Sequence, residues 1–444
     1  MKTKTVKKVG FTDLLCGRAW RFGIATLVVL VVLFSVQTAR ASDWSQWLSQ
    51  PTMTGDWGGV RTSLQALGIT PHAYDLTEFA ANVSGGKGRG SSTAEQIGFG
   101  VDFDMGKLAG INGGTVHLQL NYRQGASTSA NFIGNENEVQ SNFGFGEDLR
   151  LTQFSYEQLF DHGILDAQIG FFPAGNTFDN WVALGGDFQN IAFCCHEDPL
   201  FVNSGDSVYP SGKWGGSIKI NATPTIYAET GVWEVNPTNA LAQNGFKISL
   251  NGSTGVIFPV EFGWNPEFGS GSLPGNYKIG GYYDTSTVAD VTHPQIMRSG
   301  RYGGYIMVNQ MLINLQPGTS RGLIVFGQAT ISDERTATIP YFYNVGFILQ
   351  GPFASRPTDD IAIGMARSLV NGHATRETID LAAEEGQIGV RQPGETDVEL
   401  GYGIRIAPWL LIDPNVQYIG SPGAFSSKPI KDAWVLATQA QINF

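Results

Sequence analysis

The sequence predicts an all-β protein, a 16-stranded antiparallel transmembrane β-barrel with a short N-terminal helical segment. Two observations carry this prediction: an export signal at the start of the chain, and many short runs in which apolar and polar residues alternate. The composition agrees, because only 15% of the 444 residues are charged while 57 are glycine. Solvated helices need more Glu, Lys and Arg. The 10 Trp, 14 Tyr and 27 Phe are too many aromatic residues for a disordered chain.

Residues 1–41 have the order of a cleavable secretory signal peptide. Lys and Arg side chains precede an uncharged apolar run, 22–36, and a small-residue motif follows at Ala39-Arg40-Ala41. The run is shorter than the roughly 20 residues that a membrane-spanning helix needs, so we expect cleavage after Ala41 rather than a membrane anchor. We then expect a helical segment over 42–71, with helices at 45–50 and 61–67, and a barrel over 72–444.

Beyond residue 72, alternating runs are separated by Gly, Pro, Asn and Asp, which is typical of antiparallel strands. In the run 115–123, even-numbered residues are apolar and odd-numbered residues are polar, and the runs 398–406 and 434–444 also alternate. We therefore expect strands with one apolar and one hydrogen-bonding face. The 16 predicted strands are 72–83, 95–106, 114–124, 149–159, 164–172, 215–222, 224–235, 256–264, 276–285, 303–314, 322–332, 341–349, 360–367, 396–406, 410–418 and 434–444.

A soluble β-sandwich would alternate similarly, since it buries apolar faces between two sheets. The export signal, strands of about ten residues and a terminal Phe favour a barrel in lipid, which must close so that every backbone group is paired. Sixteen strands leave a water-filled lumen. The segment 173–214 lacks alternation, and we expect it to fold inward. Aromatic residues near the ends of predicted strands, which also favour such a barrel, are Trp233, Trp264, Tyr282, Trp409 and Trp434.

The formal charge of −11 argues against nucleic acid as a partner. None of the six His residues lies in a recognisable nucleophile motif, so a barrel enzyme is a less favoured alternative. The cluster Cys194-Cys195-His196 lacks the spaced ligand pairs of a zinc site and is interpreted as a loop. The stretch 269–275 is interpreted as a hairpin turn, because Pro274 is unsuited to the helix that a phosphate-binding loop requires. The sequence predicts no metal and no cofactor.

Ten short motifs follow one another along 53–444. They include Met53-Thr-Gly-Asp-Trp-Gly-Gly-Val-Arg61, Tyr122-Arg123-Gln-Gly125, Asp187-Phe-Gln-Asn-Ile191 and Arg356-Pro-Thr-Asp-Asp360. In these motifs and in their order, the chain resembles the OprB-type carbohydrate-selective porins, which are sugar channels of Gram-negative outer membranes. The resemblance implies passive, selective diffusion of small neutral carbohydrates such as glucose through a charged constriction. A general or differently selective porin is the alternative.

The resemblance also implies site residues and partners. It places Arg123 at the constriction, which agrees with the alternation of its strand, and Glu78 matches a further family pattern. Arg and carboxylate groups can hydrogen-bond the hydroxyls of a sugar. The expected pore-lining residues are Arg123, Glu78, Asn121, His117, Glu399 and Arg405. The expected partners are monosaccharides, outer-membrane lipid and lipopolysaccharide, and the sequence leaves monomer or homotrimer open.

The chain departs from the family pattern at two positions. Gly186 stands where a family member has a Cys that would pair with the position of Cys194, and Asn135 replaces a common acidic residue. The resemblance therefore implies neither a loop disulfide nor a particular sugar.

Overall fold

The computed structural model describes residues 41–144, 147–180, 186–193, 198–269, 273–373, 383–384, 393–424 and 430–444. Most of the predicted signal peptide (1–40) and the pair Cys194-Cys195 lie outside these residues. Two units, 1–50 and 51–444, are described separately. Within the described residues, no helix is both long and apolar enough to cross a membrane.

The described helix of the first unit is α1 (Ala41–Leu48), in which the rings of Trp44 and Trp47 meet edge to face at 5.5 Å. The sequence predicts this helix over 45–50, so the helix begins and ends earlier than predicted. Its end has a physical reason, because Gln50 precedes Pro51 and a residue before proline disfavours the helical conformation.

The described α-helices of the second unit are α2 (Val60–Leu67), α3 (Met105–Ala109) and α4 (Asp198–Asn203). Helix α2 confirms the helix predicted at 61–67. It ends at Gly68, whose positive φ of 91° a glycine adopts without strain.

The described strands of the second unit form one antiparallel sheet that closes on itself, because β1 pairs with β17 as well as with β2. The strands are β1 (Ile69–Gly86), β2 (Gly90–Asp104), β3 (Gly114–Gly125), β4 (Leu149–Phe160), β5 (Leu165–Phe172), β6 (Lys213–Asn221), β7 (Ile226–Val235), β8 (Gly255–Trp264), β9 (Glu267–Phe268), β10 (Leu273–Ala289), β11 (Met297–Asn314), β12 (Gly322–Ser332), β13 (Tyr341–Gln350), β14 (Asp360–Leu369), β15 (Gly394–Ala407), β16 (Leu410–Gly420) and β17 (Lys431–Asn443). Strand β9 is a two-residue extension that pairs with the start of β10. The remaining strands form the barrel, so the prediction of 16 strands is confirmed.

The last residue of the chain is tied to the seam where the barrel closes. The Phe444 N–H donates to the Ala73 carbonyl at 2.9 Å, and the Met53 N–H donates to the Asn443 carbonyl at 2.8 Å. Arg61 of α2 donates from Nη2 to the Phe444 carbonyl at 2.9 Å. The segment before β1 therefore helps to fix the closing strand.

The alternation of each strand sorts its side chains between the two faces of the wall. On β3, Asn121 and Arg123 are buried on the inner face, whereas Leu118 is exposed on the outer face. On β1, Glu78 is buried inside and Phe79 is exposed outside. The polar face predicted for 115–123 is thus the inner face of the barrel.

The inner face also carries a large apolar cluster, which the alternation does not predict. Trp233 is only 1% exposed, and its ring lies 5.3 Å from that of Phe172 and 5.6 Å from that of Phe178. Tyr282 and Trp409 are also buried. Trp233 and Trp409 lie near strand ends as expected, whereas Tyr282 lies within β10, and all three side chains are buried rather than exposed on the outer face. Irregular segments inside the barrel supply apolar partners that strand periodicity cannot reveal.

Replacing Trp233 with Ala is expected to destabilise the barrel by about 3–5 kcal/mol, because it leaves a cavity among Phe172 and Phe178. The effect is measured as the shift in the urea midpoint of unfolding, with the folded fraction determined from migration on unboiled gels. Trp264→Ala is the matched control, since Trp264 is 43% exposed on the outer face. Equal shifts in the two variants would contradict the buried position of Trp233.

Candidate functional site

Loop A, described at residues 126–144 and 147–148, joins β3 to β4 and lies against the inner face of the barrel. Ile133 and Val139 of this loop are fully buried in a cluster with Ala80 of β1 and Val435 of β17. The Thr128 hydroxyl donates to the Ala80 carbonyl at 3.1 Å. Loop A therefore covers the inner wall at the seam between the first and last strands.

Loop B, described at residues 173–180, 186–193 and 198–212, joins β5 to β6 and packs on another part of the inner wall. The rings of Phe188 and Phe193 lie 4.8 Å apart and belong to the apolar cluster that contains Trp233. A Cβ atom added to Gly364 of β14 would lie 2.7 Å from Phe193, so this glycine permits the close approach of the loop. The Asn344 side chain of β13 donates to the Ala192 carbonyl at 2.8 Å.

Glu78 of β1 holds loop A. Its fully buried carboxylate accepts from the Ser141 hydroxyl at 2.8 Å and from the Asn142 N–H at 3.1 Å. The sequence predicts Glu78 as a pore-lining residue. The structure places it on the inner wall and pairs it with the loop.

Glu399 of β15 holds loop B in the same way. Its carboxylate is fully buried and accepts from the N–H groups of Gln189 and Asn190, both at 2.8 Å. Hydrogen bonds to a charged group are stronger than neutral ones. Glu399, also predicted to line the pore, therefore fixes the position of loop B.

The two loops also contact each other. The Ser141 N–H donates to the Gln189 carbonyl, and the Ile191 N–H donates to the Glu138 carbonyl, both at 3.0 Å. Together with Glu78 and Glu399, these bonds make one connected polar layer inside the barrel.

Arg123 lies on the inner face of β3 under loop A and is 5% exposed. Its Nε donates to the Gln96 side-chain oxygen at 2.7 Å, and Nη1 donates to the Gly144 carbonyl at 3.1 Å. The guanidinium group therefore joins the wall to the end of loop A.

Two tyrosine hydroxyls extend this cluster. The hydroxyl oxygens of Tyr74 on β1 and Tyr209 in loop B lie 2.7 Å apart. The side-chain amides of Asn121 and Gln119 each donate to the Tyr209 hydroxyl at 2.9 Å, and that of Gln96 donates to the Tyr74 hydroxyl at 2.8 Å. The inner face of β3, loop A and loop B thus meet around Arg123, Asn121, Tyr74 and Tyr209.

His117 lies further along β3, apart from this cluster. Its Nδ1 lies 2.7 Å from an Asp102 carboxylate oxygen, and its Nε2 lies 3.2 Å from a Glu157 carboxylate oxygen. Two carboxylates thus flank the imidazole, which lines the inner wall between β2 and β4. No group of His, Cys, Asp and Glu among the described residues is arranged to hold a metal ion.

Arg405 belongs to a third group, near the end of β15. Burial, together with nearby Asp360, raises the pKa of Asp187 in loop B to about 8, although Arg405 opposes this rise. The Arg405 N–H donates to an Asp359 carboxylate oxygen at 3.1 Å. The structure therefore brings Arg123 and Asn121 together but places His117 and Arg405 elsewhere on the inner wall.

Loop A is expected to respond to pH through Glu138. Burial, together with the nearby charge of Glu136, raises the pKa of Glu138 to about 7, although hydrogen bonds from Ser127 and Ser129 oppose this rise. A carboxyl with a raised pKa favours the folded loop when protonated, so this stabilisation is present below about pH 4 and is lost as the pH rises through about 7. Hydrogen exchange of loop A should therefore be slower, relative to the intrinsic rate, at about pH 5 than at about pH 8.

The matched variant is Glu138→Gln, which keeps a polar side chain but cannot ionise. Its relative protection in loop A should depend less on pH in this range, and the remaining dependence should come in part from Glu136, whose pKa burial also raises. Protection that increases with pH in the unmodified protein would contradict the sign of this effect.

Sequence reasoning missed four members of the site: Tyr74, Gln96, Gln119 and Tyr209. Tyr74 shares the phase of predicted Glu78 on β1, and Gln119 shares that of predicted Arg123 on β3, so alternation could have found these two. No site residue is predicted on β2, the strand of Gln96. Tyr209 lies in an irregular loop, and no periodic signal marks it.

A closed 16-stranded barrel, with apolar residues on its outer face and polar loops folded inside, defines a porin-type channel of the Gram-negative outer membrane. The profile of the family described as "Carbohydrate-selective porin, OprB family" matches residues 88–444. The chain belongs to this family, whose members are channels rather than enzymes.

Similar proteins agree with this assignment. Porin B of Pseudomonas aeruginosa is 32% identical over 397 residues, covering 84% of this chain and 87% of that protein. A putative porin, QuiX, of Acinetobacter baylyi is 30% identical over 444 residues, covering 94% of this chain and 98% of that protein. The high-pH structure of Pseudomonas putida OprB matches with a TM-score of 0.84 and 31% identity, covering 89% of this chain and 99% of that one.

Proposed function

We propose that this carbohydrate-selective porin passes small neutral sugars such as glucose by passive diffusion through a charged constriction beside β3. The observation that carries the proposal is the meeting of loop A, loop B and the inner face of β3 around Arg123 and Tyr209. Loops that fold into a barrel narrow its lumen, so the narrowest polar passage is expected where both loops approach one wall.

The side chains of this cluster suit a neutral sugar. Arg123 supplies a planar set of donors, whereas the Asn121 amide and the tyrosine hydroxyls can both donate and accept. Sugar hydroxyls need this mixture, and the flat faces of Tyr74 and Tyr209 can pack on the C–H side of a sugar ring. A channel site must bind weakly enough to release its solute, which corresponds to a dissociation constant of about 1 mM, or about −4 kcal/mol.

The six predicted site residues take different parts in this proposal. Arg123 contacts the sugar, and Asn121, whose side chain is fully buried, orients the Tyr209 hydroxyl toward it. Glu78 and Glu399 act as positioning residues, because their carboxylates hold loops A and B. His117 and Arg405 line the wall on either side of the narrowest passage.

Swelling of liposomes that contain the purified protein tests the proposal. Glucose should enter faster than sucrose, and faster than a neutral amino acid or an organic anion of similar size. Entry rates that depend only on the size of the solute would instead indicate a general porin. A faster rate for the anion would indicate a differently selective channel.

A further inference from the structure

The outer face of β5, β6 and β7 carries a groove of about 1140 Å³, which we call the outer groove. Gly216 of β6 forms its floor, since strand register places Ile169 of β5 and Val232 of β7 directly opposite this glycine. Trp214 and Ile218 flank Gly216 along β6, and all four side chains are exposed on the outer face. The missing side chain of Gly216 therefore leaves a depression that four large apolar residues surround.

The outer surface of β13 and β14 has a different shape. Phe347 is opposite Ile363 there, Val345 is opposite Met365, and all four side chains are exposed. Such an evenly filled surface suits the mobile acyl chains that surround any barrel in a membrane. The outer groove is instead a recess of defined shape, in which one chain can contact apolar side chains on several sides.

Loop C, residues 236–254, joins β7 to β8 and crosses one end of the outer groove. The Leu151 N–H of β4 donates to the Gly245 carbonyl at 2.8 Å, and the Trp214 Nε1–H donates to the Ile248 carbonyl at 2.7 Å. The loop thus runs along the outside of the wall from β4, past β5, to β6. Leu250 of loop C also lines the groove, so the loop covers this end.

The covered end of the groove lies at the extracellular edge of the barrel. Successive antiparallel strands place loops A, B and C on one edge, whereas the short connections 161–164 and 222–225 lie on the other. Long loops of outer-membrane barrels face the cell exterior, and short turns face the periplasm. The groove therefore begins in the outer leaflet, where the lipid is lipopolysaccharide.

Loop C presents apolar side chains to the same surroundings. Phe246, Ile248 and Leu250 are each more than half exposed. Exposed apolar side chains that are clustered in this way mark a surface that contacts an apolar partner. Loop C therefore contacts the acyl region of the outer leaflet beside the groove.

A buried carboxylate stands at the covered end of the groove. Glu234 lines the groove and follows Trp233, the register partner of Gly215, so it lies beside Trp214. Its side chain accepts through Oε1 from the Asn236 amide at 2.8 Å, whereas Oε2 is buried without a hydrogen-bond partner in the described part of the chain. An unpaired buried acceptor is costly, so we expect a ligand to supply a donor here.

Lys247 adds a positive charge at the same end. It lies in loop C between Gly245, which is bound to β4, and Ile248, which is bound to β6. Its Nζ contacts the Thr238 hydroxyl and the Asn251 carbonyl. Both partners are neutral, so the ammonium group keeps its charge for an anion, and lysine is a common ligand of phosphate.

We propose that the outer groove binds one molecule of lipid A, the membrane anchor of lipopolysaccharide. One acyl chain lies in the depression over Gly216, a phosphate contacts Lys247, and a hydroxyl or amide N–H of the lipid's sugar backbone donates to Glu234. Lipid A carries these three kinds of group in one molecule. The site lies on the outside of the barrel and does not depend on the identity of the transported solute.

Mass spectrometry of the intact complex in detergent tests the proposal, using full-length protein refolded without lipopolysaccharide and titrated with purified lipid A. We expect one lipid A per chain and weaker binding of phosphatidylglycerol, which has a phosphate but no amide. Lys247→Gln should weaken lipid A binding by roughly 10-fold, because a charge-assisted hydrogen bond is lost. Lys431→Gln is the matched control, since Lys431 is exposed at the same edge on β17, and its binding should be unchanged.

Filling the groove gives a second test. Thr230→Trp adds a large ring on the outer face opposite Ile218 and should weaken lipid A binding by roughly 10-fold, because the acyl chain loses apolar contact. Thr438→Trp, on the outer face of β17, is the matched control. Both variants should keep the heat-modifiable gel migration of a folded barrel. If Thr230→Trp does not fold, Lys247→Gln still decides, because Lys247 lies in a loop.

Hydrogen exchange locates the bound lipid. Lipid A should slow the exchange of loop C, because the lipid covers it, and should leave loop A inside the barrel unchanged. Slower exchange in loop A without a change in loop C would place the lipid elsewhere and contradict the proposal.

Three further results would overturn the proposal. The first is a protein that retains no lipid A. The second is an equal loss of binding in Lys247→Gln and Lys431→Gln, which would mean that phosphates bind any cation at the edge of the barrel. The third is phosphatidylglycerol that binds as tightly as lipid A, which would mean that the groove accepts any acyl chain.

Discussion

Replacing Arg123 with Ala is expected to weaken glucose block of the single-channel current by roughly 10-fold to 100-fold. The variant loses the charged donors on the inner face of β3, and a hydrogen bond to a charged group contributes about 1.5–3 kcal/mol. The open-channel current should increase at the same time, because the guanidinium that joins β3 to the Gly144 carbonyl is gone. Titration of the current with glucose in a planar bilayer measures both effects.

Two controls make this result specific. Arg123→Lys keeps the charge but lacks the planar fork of donors. Its open-channel current should therefore stay close to that of the unmodified protein, whereas its block by glucose should weaken. Arg335→Ala removes an arginine that pairs with Asp333 outside the strands, and it should change neither quantity. If Arg123→Ala left current and block unchanged, Arg123 would be an ordinary residue of the inner wall.

The second large effect is expected for Glu399→Ala, which removes the acceptor for the N–H groups of Gln189 and Asn190. Loss of two charge-assisted hydrogen bonds in a buried layer disfavours the docked loop by about 3–6 kcal/mol. Loop B should then leave the wall at this point, and single-channel conductance should rise by about twofold or more with weaker selectivity among sugars.

Glu399→Gln keeps one accepting oxygen, so its single-channel conductance should lie between that of the unmodified protein and that of Glu399→Ala. Glu157→Ala is the matched control, because Glu157 is an inner-wall carboxylate that pairs with His117 rather than with a loop. A Glu399→Ala channel with unchanged conductance would show that this carboxylate does not position loop B.

Alternation predicted most of the barrel, because a strand that separates two environments repeats every two residues. The run 115–123 correctly placed Arg123 and Asn121 on the inner face, and the run 398–406 did the same for Glu399. The number of strands followed from the same pattern and was confirmed.

The inner loops could not be predicted in this way, since their contacts are long-range and have no period. Trp233 has the sequence context of a rim aromatic residue, yet Phe172 and Phe178 enclose it inside the barrel. Likewise, the phase of Glu78 shows that it points inward but not that Ser141 and Asn142 bind it. The alternation of the strands thus predicted which wall residues face the site. The loop residues that bind them are identified only by the folded structure.

Single-channel current of the unmodified porin, titrated with glucose in a planar bilayer, tests the central claim most directly. A sugar that occupies the polar cluster beside Arg123 and Tyr209 should block the current in a saturable manner, with half-block at millimolar concentration, or about −4 kcal/mol. Sucrose, a neutral amino acid and a small organic anion should block far less. A steady current that glucose does not reduce would contradict a sugar-binding constriction.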